Sequence, residues 1–356
     1  MMKYFVILMA ALGLCSCQKP SELDKLFSSQ IKEDGPGASV LIVKGDSVIF
    51  SKSYGFADLS TKEPITGKTL FNVGSITKTF VMNAILILRD EGKLSLEDSL
   101  IKYFPEFKNK DIARKVKIKH LLTHTSGLPD LRPVQEQREF YLTADDAQNW
   151  QPIMQADSLE FEPGSHYKYS NPAFNALALI IEKVTGEKWQ QFVKGRIMMP
   201  AGMETTTITD GAHPETGVSH GYVLENGKWS ELDYGEEPTF CAAGNGGVWS
   251  STDELFRYFK ALERATFSNK ATIAESMEEK SFGIGWSWFI GKTNDGLKTV
   301  GHTGTQGGFY CDYVTIPEKK IVYIMLANFP IDRSLLNKEV LRLIGSPANL
   351  TENVPG

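Results

Sequence analysis

Residues Phe71–Gly92, FNVGSITKTFVMNAILILRDEG, constrain the fold of this chain more than any other stretch. The first half is small and polar, and the second half is nearly all apolar. Val81, Ala84, Ile85 and Leu88 recur at helical spacing, and the positions between them are apolar enough to cover both faces. A helix that is apolar all round has to be buried, so the rest of the chain must wrap it. Gly92 supplies the stop, since glycine tolerates the left-handed conformation just past a helix end. The helix is expected to begin near Ser75. Ser75 and Lys78 then share one face of its first turn, with the lysine one turn deeper.

That placement has a chemical meaning. A serine hydroxyl is a poor nucleophile until a base takes its proton. A lysine can be that base when burial or a neighbouring charge lowers its pKa towards neutrality. The start of a helix adds free backbone N–H groups and a partial positive charge, which favour an oxyanion there. The spacing alone is a weak signal, because Ser29/Lys32, Ser99/Lys102 and Ser165/Lys168 repeat it. What singles out Ser75 and Lys78 must come from elsewhere in the chain.

The 356 residues carry a net charge of −5 and no basic block, which argues against nucleic acid or an anionic membrane surface as an electrostatic partner. No phosphate-cradling glycine loop is present. Residues 1–16 read as a secretory leader: Lys3, an apolar run from Tyr4 to Leu14, then small residues. The run is too short to span a bilayer. Leu14-Cys15-Ser16-Cys17 resembles the lipobox of bacterial lipoproteins, which implies cleavage before Cys17, a lipid anchor on it, and a periplasmic or outer-membrane location. The alternative is removal of the leader with no anchor. Cys241 and Cys311 then remain, and the sequence leaves open whether they pair.

After a tether, Ser21–Glu33 reads as an amphipathic helix with Leu23, Leu26, Phe27 and Ile31 on one face. Ala38–Val43 and Val48–Tyr54 read as strands joined by a Lys44-Gly45-Asp46-Ser47 hairpin. From Leu94 to about Leu262 the pattern is helix and loop, with helix starts at Asn171-Pro172 and Ser251-Thr252-Asp253. Phe282–Ile290, Thr299–His302, Gly308–Ile316 and Ile321–Asn328 are β-rich, and Ser334–Ile344 is a last helix. Strands at both ends with helices between predict an α+β fold: one antiparallel sheet from residues 37–70 and 280–345, flanked by helices, with a mostly helical insertion over 71–279. Residues 17–36 form the tether and first helix.

Two further motifs carry chemistry. The Pro- and Gly-punctuated loop FEPGSHYKYSN (161–171) ends in Tyr169-Ser170-Asn171, the only Y-x-N in the chain. A phenol beside cations can relay a proton, and an asparagine amide can hold a substrate carbonyl. His302-Thr303-Gly304-Thr305 contains the only H-x-G and falls at the end of a β-rich run. Gly304 there lets a substrate backbone lie along the strand, and Thr305 offers a backbone N–H. Loop packing and a plain strand-end turn are the bland readings of the two. His120 and His124 stand four apart, as metal ligands can, but no carboxylate sits between them at a metalloprotease position, so turn packing is the reading adopted.

The phrases FNVGSITKTF, LLTHTSGLPD, FEPGSHYKYSN, AAGNGGVWSS and GHTGTQGGF together resemble the serine β-lactamase and penicillin-binding protein superfamily. The likeness is to the branch with class C β-lactamases, D-Ala-D-Ala carboxypeptidases, esterases and D-aminopeptidases, and it covers roughly residues 21–345. It implies a β-lactamase/transpeptidase-like fold and a serine hydrolase working through a Ser75 acyl-enzyme on amides or esters, such as peptidoglycan D-peptides or β-lactams. It implies Lys78 as proton acceptor, Tyr169 as relay, and Asn171 on the substrate amide. His302, Thr303 and Gly304 would line the substrate strand, the N–H groups of Ser75 and Thr305 would form an oxyanion hole, and Asn245-Gly246-Gly247 would border the cleft. No metal or organic cofactor is implied. Most β-lactamases carry lysine where this chain has His302, which weighs against β-lactam hydrolysis as the main role.

Three rivals remain. Gly217-Val218-Ser219-His220-Gly221 matches the nucleophile elbow of α/β-hydrolases, but Asp210-Gly211 and His213-Pro214 precede it and a hairpin pattern follows, where a strand and a helix are required. The same fold can also serve a non-hydrolysing penicillin or peptidoglycan receptor. It can equally serve a small-ester carboxylesterase, with Trp229, Tyr234, Phe240 and Trp249 forming an apolar acyl pocket or simply packing in the core.

Overall fold

The computed structural model describes residues 21–134, 136, 140–208, 216–232 and 241–345. The leader, Cys17, Asp210, Gly211, His213, Pro214, Tyr234 and Phe240 lie outside the described residues. No helix among those described is long and apolar enough to cross a membrane.

Strands β1 (Ala38–Lys44) and β2 (Ser47–Tyr54) form the expected hairpin. Four C-terminal strands follow: β3 (Phe289–Lys292), β4 (Lys298–Gln306), β5 (Phe309–Ile316) and β6 (Ile321–Ala327). They assemble into one antiparallel sheet in the order β3-β4-β5-β6-β1-β2, so the two ends of the chain meet where β1 pairs with β6. Both central strands are buried on both faces, which is why they read as unbroken apolar runs. Successive side chains alternate between two cores. Val40, Ile42, Tyr323 and Met325 pack with α1 (Glu22–Gln30) and the C-terminal helix, while Leu41, Val43, Val322 and Ile324 face the helical region. Phe27 of α1 is fully buried against Phe50 and Tyr54, a contribution of about 2 kcal/mol.

On the other face, α2 (Thr77–Asp90) runs through the main core with every residue from Thr77 to Leu88 buried. A short 3₁₀ turn, Gly74–Ile76, precedes it, so Ser75 sits on that turn and Lys78 in the first turn of the α-helix proper. Helix α3 (Asn171–Thr185) starts with Pro172 behind a Ser170 cap and ends at Gly186, which adopts a φ of 79°. Helix α4 (Thr252–Arg264) is capped by Ser251 and lies against β1 and β6. The last helix, α5 (Arg333–Gly345), packs on α1.

The region between the two halves of the sheet is not all helix. Phe71–Asn72, Val248–Ser250 and Thr207–Ile208 form a small antiparallel sheet that locks the entry to α2 beside the 241–247 loop. The expected strand over Phe282–Ile290 begins only at Phe289. Phe282, Gly283 and Ser287 have positive φ, and the N–H groups of Trp286 and Ser287 bond to Ser276 and Leu122 instead of a neighbouring strand. Strand β4 runs on to Gln306, so His302–Thr305 lie within the strand and not at its end. No disulfide joins Cys241 and Cys311, and the buried Cys311 thiol contacts the Asn72 carbonyl at 3.5 Å.

Candidate active site

Two glycines bring the Ser75 turn against β4. Gly74 adopts a φ of 51°, and a Cβ there would stand 2.8 Å from the Thr305 nitrogen. A Cβ on Gly304 would stand 1.9 Å from the Val73 carbonyl oxygen and 3.3 Å from the Ser75 nitrogen. Any larger residue at either position would push turn and strand apart. The close approach sets the backbone N–H groups of Ser75 and Thr305 beside each other, as an oxyanion hole needs. Strand β3 pairs with β4 only as far as Gly301, so the β4 edge from His302 onward faces the Ser75 turn. On the far side, Arg333 of α5 donates to the Gly304 and Cys311 carbonyls and to Thr305 Oγ1, bracing that segment.

Lys78 is fully buried, and its Nζ stands 2.8 Å from Ser75 Oγ and 2.7 Å from the Asn245 carbonyl oxygen. Burial, reinforced by the nearby Arg132 charge, holds its pKa well below the ordinary lysine range. A neutral amine that donates one N–H to Asn245 can turn its lone pair to the Ser75 hydroxyl and accept that proton. Its Nζ also lies 5.2 Å from the centre of the Tyr169 ring and 5.6 Å from that of Phe174.

Tyr169 stacks on His124 at 4.4 Å, and His124 accepts a hydrogen bond from the Ser170 N–H through Nδ1. The structure therefore gives His124 a job the i, i+4 pattern concealed: it is the shelf under the Tyr169 loop. His120 accepts from the Lys117 N–H, so the two imidazoles serve different segments. Phe289 bridges the wall, 6.4 Å from Tyr169 and stacked on His302 at 4.6 Å. Burial and then the Lys78 charge push the His302 pKa down to about 3, so this imidazole is neutral at physiological pH. Its Nδ1 lies 2.6 Å from the Thr303 carbonyl, which places the proton on Nδ1 and the lone pair on Nε2. Asn171 opens α3 two residues beyond Tyr169, and its Oδ1 has no hydrogen-bond partner among the described residues.

Ser75, Lys78, Tyr169, His302 and the β4 edge thus come together, and the rival elements do not join them. Ser219 is fully buried, donates weakly to the Ala57 carbonyl at 3.4 Å, and is followed by the hairpin Tyr222–Glu225/Lys228–Glu231. An elbow needs a helix where this hairpin stands, so Ser219 is not in one. Trp249 is core, edge-on to Phe309, and Trp229 packs on Phe329 beside Gly35, so neither forms an acyl pocket. Arg132 was missed from sequence. It is a buried cation tied to Asp130 and Asn149, and only its burial distinguishes it from any loop arginine.

The family model described as β-lactamase matches residues 23–343. The chain belongs to that family. Membership places it among the serine hydrolases of the β-lactamase and penicillin-binding protein superfamily. The chain is 27% identical to penicillin-binding protein 4* of Bacillus subtilis (strain 168), over 94% of this chain and 78% of the relative. It is 28% identical to protein flp of Staphylococcus aureus (strain MW2) over 82% of its own length but only 59% of that relative's. Among solved structures, an octameric penicillin-binding protein homologue from Pyrococcus abyssi matches with a TM-score of 0.80 at 27% identity, covering 94% of this chain and 78% of that one.

Proposed function

We propose that the protein hydrolyses amide bonds of cell-wall D-amino-acid peptides through an acyl-enzyme on Ser75. The observation that carries this is Lys78: buried, held by the Asn245 carbonyl, and 2.8 Å from Ser75 Oγ. Neutral Lys78 takes the serine proton as Oγ attacks the substrate carbonyl. The resulting oxyanion lies between the N–H groups of Ser75 and Thr305. Tyr169, next to the Lys78 ammonium that has formed, passes a proton to the leaving amine as the C–N bond breaks. Water then enters along the same route in reverse, giving its proton to the base as its oxygen attacks the ester, and Ser75 is regenerated. Asn171 holds the amide, and the β4 edge with Thr303 and Gly304 receives the substrate backbone.

The leader, the Cys17 lipobox and the penicillin-binding relatives support an exported, lipid-anchored enzyme facing peptidoglycan. The neutral His302 favours a second substrate class as well, small neutral esters, because no cation at that position awaits a carboxylate. It also favours slow turnover of β-lactams. A fluorophosphonate or labelled penicillin, followed by location of the adduct, tests the nucleophile. Ser75→Ala is expected to abolish labelling, Ser219→Ala to leave it intact, and Lys78→Ala or Tyr169→Phe to slow it by about a hundredfold or more. Labelling that survives Ser75→Ala refutes the reading, and a stable adduct with no turnover of any peptide or ester makes the protein a receptor. Comparing kcat/KM for nitrocefin, p-nitrophenyl butyrate and a diacyl-Lys-D-Ala-D-Ala peptide ranks the substrates. Nitrocefin turnover near the diffusional ceiling of about 10⁸ M⁻¹s⁻¹ identifies a dedicated β-lactamase instead.

A further inference from the structure

Behind Lys78 lies a buried polar chain that the acyl-transfer steps do not use. Asp146 begins the short helix Asp146–Trp150 and is buried, as are Asn175 on α3 and Asn245 in the 241–247 loop. One carboxylate oxygen of Asp146, Oδ1, accepts from Asn175 Nδ2 at 2.8 Å and from the Gly244 N–H at 2.8 Å. The second N–H of the same Asn175 amide goes to Asn245 Oδ1, also at 2.8 Å. Asn245 then presents its own backbone carbonyl to Lys78 Nζ. The loop is therefore gripped at two adjacent residues, Gly244 by its N–H and Asn245 by its side chain, with both grips leading back to Asp146.

We infer that Asp146, acting through Asn175 and Asn245, is a positioning residue for the base: it fixes the carbonyl that aims the Lys78 lone pair at Ser75. The inference rests on the reading of Ser75 and Lys78 given above. A side chain serving only packing would not need a carboxylate here, where an apolar group of the same shape would avoid the cost of burying an acid. An ionised carboxylate grips harder than a neutral acceptor, because charge-assisted hydrogen bonds are about twice as strong. The grip on Lys78 therefore depends on the protonation state of Asp146. Burial raises its pKa from 3.8 to about 7, opposed by the Asn175 and Gly244 bonds and by the Trp189 indole, while the charge of Glu182 on α3 raises it further. Arg132, paired with Asp130, donates to Asn149 towards the other end of the same short helix. At Lys78 the facing groups are Arg132 and the neutral His124 and His302. Above pH 7 the carboxylate is charged and the loop is held. Below it the acid is neutral and the hold slackens.

The test compares Ser75 acylation by a fluorophosphonate in the wild type and in Asp146→Asn, which keeps shape and an acceptor oxygen but cannot ionise. The ratio of the two maximal acylation rates is expected to be near one at pH 5.5 and to rise through pH 7 to about fivefold at pH 8.5. The half-saturating probe concentration should stay the same in both. Adding Asn175→Leu to Asp146→Asn should cost less than the sum of the two single changes, because both act through one path. A ratio that is the same at every pH shows a packing role and overturns the inference, whether or not the Asn175→Leu variants fold. An adduct on a residue other than Ser75 overturns the proposed function and the inference with it. An adduct on Ser75 with a pH-independent ratio overturns the inference alone.

Discussion

In the proposed mechanism the charge state of His302 sets how the site treats a substrate carboxylate, and the structure gives that state a physical cause. The imidazole is 1% exposed, stacked on Phe289 and within the field of Lys78. Its pKa is lowered from 6.5 to about 3, first by burial and then by Lys78. The sign follows directly: between pH 8 and pH 5 the ring gains no proton, so the site gains no cation. An imidazole with its ordinary pKa would become charged over that range and attract carboxylates more strongly as the pH fell. The perturbation is His302→Lys. A cation about 4 Å from a carboxylate at an effective dielectric constant of about 20 is worth about 4 kcal/mol. Most of that is offset by the cost of burying an ammonium at this position. A net gain of about 1.4 kcal/mol corresponds to about tenfold. The assay is the ratio of kcat/KM for a diacyl-Lys-D-Ala-D-Ala peptide to that for its C-terminal amide, measured from pH 5 to 8. In the wild type this ratio should be flat. In the variant it should rise about tenfold, and repulsion from the new cation should move the Lys78 limb of the profile to lower pH. A wild-type ratio that climbs below pH 6.5 means His302 ionises and the burial argument is wrong. An unchanged ratio in a folded variant means residue 302 does not govern carboxylate recognition.

Gly304→Ala places a Cβ 1.9 Å from the Val73 carbonyl oxygen, so turn and strand must separate. Acylation should fall about a hundredfold with a stability loss of about 1–3 kcal/mol, read by labelling kinetics and thermal melts; wild-type labelling would show that the oxyanion site tolerates the shift. Cys17→Ser should move the protein from the membrane to the soluble fraction of a bacterial host, and an unchanged distribution would place any anchor elsewhere.

Much of this fold could be read from local pattern. The all-round apolar character of residues 81–88 demanded a buried helix, and α2 is buried from Thr77 to Leu88. The Lys44–Ser47 turn, the helix start at Asn171-Pro172 and the Ser251 cap each depend on a few adjacent residues and stand where expected. Ser75 and Lys78 share a face because three residues of helix put them there. The strand expected over Phe282–Ile290 failed for a local reason with a distant cause: Ser287, at positive φ, gives its N–H to the Leu122 carbonyl, and Trp286 beside it gives its own to the Ser276 carbonyl. What no local pattern carries is which surfaces meet. The contact of Gly304 with Val73, the seat of Tyr169 on His124 and the hold of Asn245 on Lys78 join segments separated by up to 231 positions in the chain. Ionisation belongs with those contacts. Lys78 and His302 are ordinary bases in the sequence, and both pKa values are lowered here because the tertiary structure removes the water that would stabilise their charge.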